Sequence, residues 1–227
     1  MAEQLTFDLP ALAAQGLDDF LMTPSNMTAL AVIKGWQEWP NRKLILTGDR
    51  GTGKTHLAHV WAAMSDAVIL NAIDLGATDI ADLAGRNVVV EDAQEIAGQS
   101  APETALFHLH NLVLAEGGWL LVTAAAPATR WGITLPDLRS RMESTTLAQL
   151  DAPDDMLLSA VLVKLFDDRQ IAVPANVIDY ILPRMERSLA AAADLVAQLD
   201  KVALTEGRPL TRALAARVLD APTKPEA

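Results

Sequence analysis

Cysteine is absent from the 227 residues, which excludes disulfides, a thiolate zinc site and a cysteine nucleophile. Basic residues are few, 18 Lys and Arg against 29 Asp and Glu, a formal net charge of −11. Nucleic-acid affinity rests on clustered Lys and Arg, and the longest basic run is only Asn41-Arg42-Lys43, so a broad phosphate-binding surface is not expected. Aromatics make up 4% of the chain against 51% hydrophobic residues, so an Ala- and Leu-rich, helix-dominated globule is expected. Long apolar runs are missing too, because Glu116-Gly117-Gly118 interrupts the best candidate. The start, Met1-Ala2-Glu3-Gln4, lacks a basic segment followed by an apolar core, so a cytoplasmic protein without membrane contact is expected. Histidine number is 4, and the i,i+2 spacing of His108 and His110 does not present both rings to one metal from a helix. His56 and His59 are likewise read as non-ligands.

What the chain does hold is a phosphate loop. Gly48-Asp49-Arg50-Gly51-Thr52-Gly53-Lys54-Thr55 satisfies G-x-x-x-x-G-K-[ST] in full. The apolar run 43–47 before it has strand length, and His56 onward reads as helix. Glycines let backbone N–H groups turn inward around a polyphosphate, and the helix N-terminus adds partial positive charge. Lys54, read as an exposed side chain, would reach the β- and γ-phosphates, and Thr55 would offer its hydroxyl to Mg²⁺. ATP or ADP with Mg²⁺ is therefore the expected ligand.

Further strands are expected at 67–71, 87–90, 119–123 and 145–150, with helical stretches between them. The clearest helix is 102–116, with Ser100 as N-cap and Gly117 as C-cap. Apolar strands alternating with helices predict an α/β fold, a parallel five-stranded sheet covered on both faces. Beyond Asp151-Ala152-Pro153 only helical patterns follow, at 154–169, 176–182, 189–206 and 211–219, punctuated by prolines and Gly207. The expected organisation is an arm over 1–14, a nucleotide-binding domain over 15–151, an all-helical lid over 152–220 and a polar tail over 221–227. A second half of the nucleotide site lies in Val88-Val89-Val90-Glu91-Asp92, apolar strand residues running into two carboxylates at the carboxyl end, where open α/β sheets bind ligands.

These pieces, in this order, resemble the AAA+ ATPases of the DnaA/Hda family, and the shorter Hda side in particular. The resemblance rests on Asp19-Phe20 with Pro24-Ser25-Asn26, the loop ending Gly53-Lys54-Thr55-His56-Leu57, and Glu91-Asp92-Ala93-Gln94. It continues through Phe107-His108-Leu109-His110-Asn111-Leu112, Leu138-Arg139-Ser140-Arg141-Met142, and Leu204 to Leu210. It implies that Arg141 is an arginine finger reaching the γ-phosphate on a neighbouring subunit, with Asp92 the catalytic carboxylate and Glu91 the magnesium carboxylate. Glu91 departs from the aspartate usual there. Alanines follow Thr123 where the family carries polar sensors, leaving Thr123 alone to touch a phosphate or the attacking water. Ala190 stands where a second sensor arginine is expected, with Arg187 a candidate substitute three residues earlier. Weakened catalytic positions imply a protein that binds nucleotide better than it cleaves it.

The arm Gln4-Leu5-Thr6-Phe7-Asp8-Leu9-Pro10 resembles the peptides by which replication proteins dock into the sliding clamp. Leu5, Phe7 and Leu9 would fill an apolar pocket and the Gln4 amide would satisfy its rim. The family's initiator continues past the lid into a helix-turn-helix domain, whereas Ala227 ends this chain, so no direct sequence-specific DNA recognition is expected. The implied partners are DnaA and the clamp, with a homo-oligomer left open. An autonomous P-loop ATPase such as a helicase loader, and a scaffold without hydrolysis, remain the rivals.

Overall fold

A computed structural model describes residues 21–220; the arm at Gln4 to Pro10 and the tail lie outside them. Strands β1 (Lys43–Thr47), β2 (Val68–Asn71), β3 (Val88–Glu91), β4 (Leu120–Ala124) and β5 (Leu147–Gln149) form one sheet in the order β2-β3-β4-β1-β5. Every pairing is parallel, for instance Ile45 opposite Val122 on one side and Leu147 on the other. The interior strands are continuous apolar runs because both faces are covered. Ile45, Val88, Val90, Leu120 and Val122 serve one core, while Leu44, Leu46, Val89 and Leu121 serve the other.

Helices α1 (Met27–Lys34), α2 (Lys54–Ser65), α3 (Ser100–Ala115) and α4 (Pro136–Glu143) accompany the sheet. The crossover from β2 to β3 departs from the expected helix. It consists of 3₁₀ turns at Ala72–Ala77 and Ile80–Leu83, separated by Thr78 and Asp79 in extended geometry. Helix α3 begins at Ser100 itself, so the capping position belongs to Gln99, and its C-cap is Glu116 rather than Gly117. A tryptophan cluster fixes the phosphate-loop helix from behind. Trp61 of α2 stacks on Trp39 at 5.2 Å and meets Trp36 edge-on at 6.1 Å.

Helices α5 (Asp155–Asp167), α6 (Ala175–Ile181), α7 (Leu189–Glu206) and α8 (Arg212–Leu219) follow the sheet. They close around an apolar cluster of their own, with Leu162, Phe166, Ile181, Val196 and Leu199 fully buried. Three of the four helices carry side-chain N-caps, Asp154 to Leu157 N–H, Ser188 to Ala191 N–H and Thr211 to Leu214 N–H. Among the described residues no helix is long and apolar enough to cross a membrane.

Candidate functional site

The loop after β1 wraps back on itself. Gly51 and Gly53 take φ of 79° and 101°, a left-handed geometry that side-chain-bearing residues resist. Lys54 is not the exposed side chain the sequence suggests. It is 9% exposed, and its Nζ donates to Gly48 O at 2.7 Å and Asp49 O at 2.9 Å. Burial pulls the Lys54 pKa down, and the charges of Asp92 and then Asp49 push the other way. Thr52 closes the turn by donating to Asp49 O at 3.0 Å.

The predicted residues divide among three adjoining clefts. Arg50, Gly51, Gly53, Lys54, Thr55 and Asp92 line one of about 330 Å³, completed from the lid by Leu189 and Ala190. Thr52 and His56 face a second, mainly apolar cleft of about 380 Å³, shared with Leu21, Met22, Leu157 and Val161. Gly48 and Asp49 border a third of about 440 Å³, beside Ala125 and Gln149. The first suits phosphates, having an ammonium, a hydroxyl and a carboxylate around a turn of backbone amides. The second, with apolar walls and a few polar groups, suits a flat heterocycle.

The acidic pair separates in role. Asp92 turns into left-handed geometry at φ 54°, and its N–H donates to Thr123 Oγ1 at 3.0 Å. Thr123, 1% exposed on β4, thus accepts from the turn it supports, and its hydroxyl keeps a proton to donate. Gln94 joins the same junction, its Oε1 accepting from Ala125 N–H at 3.1 Å. Glu91 lies with Oε2 3.7 Å from His59 Nε2, while its Oε1 is buried without a hydrogen-bond partner. An unsatisfied buried carboxylate oxygen is costly, and a hydrated Mg²⁺ would give it a partner. The donor set fits that ion, although no cluster of three or more acidic or imidazole ligands occurs among the described residues.

The lid seals the loop. Leu189 N–H donates to Gly51 O at 2.7 Å, and a Cβ on Gly51 would sit 2.2 Å from Ser188 Oγ. No sequence signal pointed to these two, because a contact between residues so far apart leaves no local pattern. Arg187, the candidate substitute for the missing arginine, is engaged elsewhere in this structure. It precedes α7, so the helical spacing to Ala190 does not apply, and it turns outward to Asp155 Oδ1 at 2.7 Å and Pro153 O at 3.2 Å. Ala190 itself borders the phosphate cleft.

Arg141 lies apart from this site. It occupies the last turn of α4, exposed, with its guanidinium 5.2 Å over the Phe107 ring. No carboxylate is within ion-pair distance of it among the described residues. Its carbonyl accepts from Lys43 Nζ at 3.0 Å, which places it at the start of β1, while the phosphate loop leaves the other end. A five-residue strand separates those ends by about 16 Å.

Comparison with known proteins points in one direction. Residues 155–219 match the family described as "Hda, lid domain". The chromosomal replication initiator protein DnaA of Thermomicrobium roseum is 25% identical over 89% of this chain, which spans 48% of that relative. Domain III of the Thermotoga maritima initiator DnaA superposes with a TM-score of 0.80, covering 96% of this chain and 99% of that one at 18% identity. AMPPCP-bound DnaA from Aquifex aeolicus superposes at 0.69, covering 88% and 67% at 17% identity.

Proposed function

We propose, for a chain that is an AAA+ module of the DnaA/Hda replication-initiation type, a nucleotide-binding regulator that acts on a partner's ATP. The partner is DnaA, and Arg141 acts in trans as its arginine finger. The single observation that carries this reading is the location of Arg141, exposed, with no acidic partner among the described residues, and a strand's length from its own phosphate loop. A guanidinium so placed serves another molecule's γ-phosphate, where it neutralises developing charge.

In its own site, Lys54 would hold the β-phosphate of ADP, or the β- and γ-phosphates of ATP, after releasing the Gly48 and Asp49 carbonyls. Thr55, Glu91 and Asp92 would hold Mg²⁺ through its water shell, and the ion when bound would neutralise phosphate charge. Asp92 would orient water. With Ala190 lining the phosphate cleft where a sensor arginine is expected, Thr123 alone would be left to sense the γ-phosphate. The isolated protein should accordingly turn over far below the roughly 1–10³ per second of typical enzymes. The arm residues Gln4, Leu5, Phe7 and Leu9 would tether the module to the sliding clamp, and the lid would begin near residue 152. An autonomous ATPase is the second reading, favoured by Lys54, Thr55 and Asp92 sharing one cleft.

Single-turnover hydrolysis of DnaA-bound ATP, with clamp-loaded DNA present, tests the proposal. Arg141→Ala should abolish stimulation, since a finger supplied in trans is worth 10³–10⁵ in GTPases. Replacing Gln4, Leu5 and Phe7 by Ala should remove clamp binding and leave nucleotide affinity unchanged. Full stimulation by the Arg141 variant would overturn the finger, and rapid clamp-independent turnover would promote the second reading.

A further inference from the structure

Beneath α4 lies an arrangement that a surface arginine does not require. Lys43, the first residue of β1, is 7% exposed, yet its Nζ has no carboxylate within ion-pair distance among the described residues. Instead the ammonium donates to Arg141 O at 3.0 Å and faces His110 Nε2 at 3.3 Å. His110, on α3, is 3% exposed, and its Nδ1 lies 3.3 Å from Asn111 Oδ1.

Burial above all, with the charge of Lys43 beside it, drops the His110 pKa to about 4. The imidazole is therefore neutral at pH 7, and Nε2 accepts from Lys43 while Nδ1–H donates to Asn111. The same Arg141 carbonyl accepts from Ser144 Oγ at 3.0 Å and Thr145 Oγ1 at 2.7 Å. Two hydroxyls already suffice to cap the helix end. Adding a buried, acid-free ammonium costs free energy that capping alone does not explain.

We propose that Lys43 and His110 are positioning residues that lock the backbone of Arg141, so that its guanidinium is presented at a fixed place to the partner's nucleotide. The inference rests on the finger reading above and adds to it what holds the finger. Helix α3 grips Arg141 twice, at the carbonyl through His110 and Lys43, and at the guanidinium through Phe107 one turn earlier. A finger works only if aimed, and a displacement near 1 Å can cost about 10²-fold in rate.

The test compares Lys43→Met, His110→Leu and His110→Gln with wild type and Arg141→Ala. Stimulated hydrolysis of DnaA-bound ATP is measured in single turnover, together with ADP affinity and the NMR order parameter of the Arg141 amide. Lys43→Met keeps the chain's volume, removes the buried charge and should not destabilise the fold. Its maximal stimulated rate should fall about 10–10²-fold, with unchanged ADP affinity and unchanged half-saturating concentration. The Arg141 order parameter should fall as well. His110→Leu should behave alike, while His110→Gln, whose amide oxygen can accept from Lys43, should recover most of the rate. A folded Lys43→Met or His110→Leu protein with wild-type rate and order parameter overturns the lock alone, provided Arg141→Ala is inactive. If Arg141→Ala retains stimulation, the finger reading fails first and the lock falls with it.

Discussion

The amide of Asp92 donates to the hydroxyl of Thr123 at 3.0 Å, tying the turn after β3 to the neighbouring strand β4. Because Asp92 is held at φ 54°, this bond stabilises a conformation that a residue with a Cβ visits reluctantly. It therefore aims the carboxylate that borders the phosphate cleft.

Thr123→Val keeps the shape of the side chain and removes the acceptor. The orphaned Asp92 N–H should cost about 1–3 kcal/mol, read as a lower urea midpoint. Whatever residual ATP hydrolysis the protein shows should fall with it, and Thr123→Ser should restore both. A Val variant of wild-type stability would mean that the turn does not depend on this bond.

Lys54→Ala should eliminate nucleotide binding, as measured by titration with labelled ADP. Since Lys54 also bonds the Gly48 and Asp49 carbonyls in the structure, the variant should show a loosened loop while the sheet remains folded. Faster amide exchange over residues 48–53, with unchanged exchange in β3 and β4, would be the signature. Retained ADP affinity in a folded protein would sink the assignment of the phosphate site.

Gly51→Ala introduces a methyl 2.2 Å from Ser188 Oγ and 2.8 Å from Ser188 Cβ, at a φ of 79°. The left-handed backbone alone costs about 1–2 kcal/mol, and Ser188 must also give way although it caps α7. Weaker lid docking should appear as increased proteolysis near Ser188 and as reduced ADP affinity. Ser188→Gly should relieve the clash and recover part of that affinity. If Gly51→Ala binds ADP as wild type does, the lid is not seated on the loop during binding.

How legible all this was in the sequence depends on the range of the cause. The run Val88-Val89-Val90 announced its strand because a parallel strand buried on both faces is apolar throughout. At the sheet's edge β5 shrank to Leu147–Gln149 from the expected 145–150, Thr145 being used to bond the Arg141 carbonyl. The phosphate loop is a local motif and could be read directly. Arg187 precedes α7, and that boundary, set by the Ser188 cap, does not show in its spacing to Ala190. Lys43 read as part of a basic surface run, yet it is buried against partners about 70 and 100 positions away in the chain, which no local pattern discloses.

Glu103 supplies the last prediction, because it joins the start of α3 to the segment leading into α4. Fully buried, its carboxylate accepts from Gly98 N–H at 2.7 Å, Leu135 N–H at 2.8 Å and Thr134 Oγ1 at 2.8 Å, and from Thr134 N–H. Burial by itself would raise its pKa, but the hydrogen bonds from Thr134, Leu135 and Gly98 outweigh it and hold the group below the ordinary 4.5. A carboxylate with a depressed folded pKa contributes stability that is fully present above its unfolded value. That contribution is lost as pH falls through the folded value. Glu103→Gln presents an amide N–H₂ to donors and should cost about 3 kcal/mol at pH 7. The difference from wild type in urea unfolding should narrow steadily as pH drops below that ordinary value of 4.5. A gap that stays constant from pH 7 to pH 3 would show that the ionised carboxylate is not what binds these segments together.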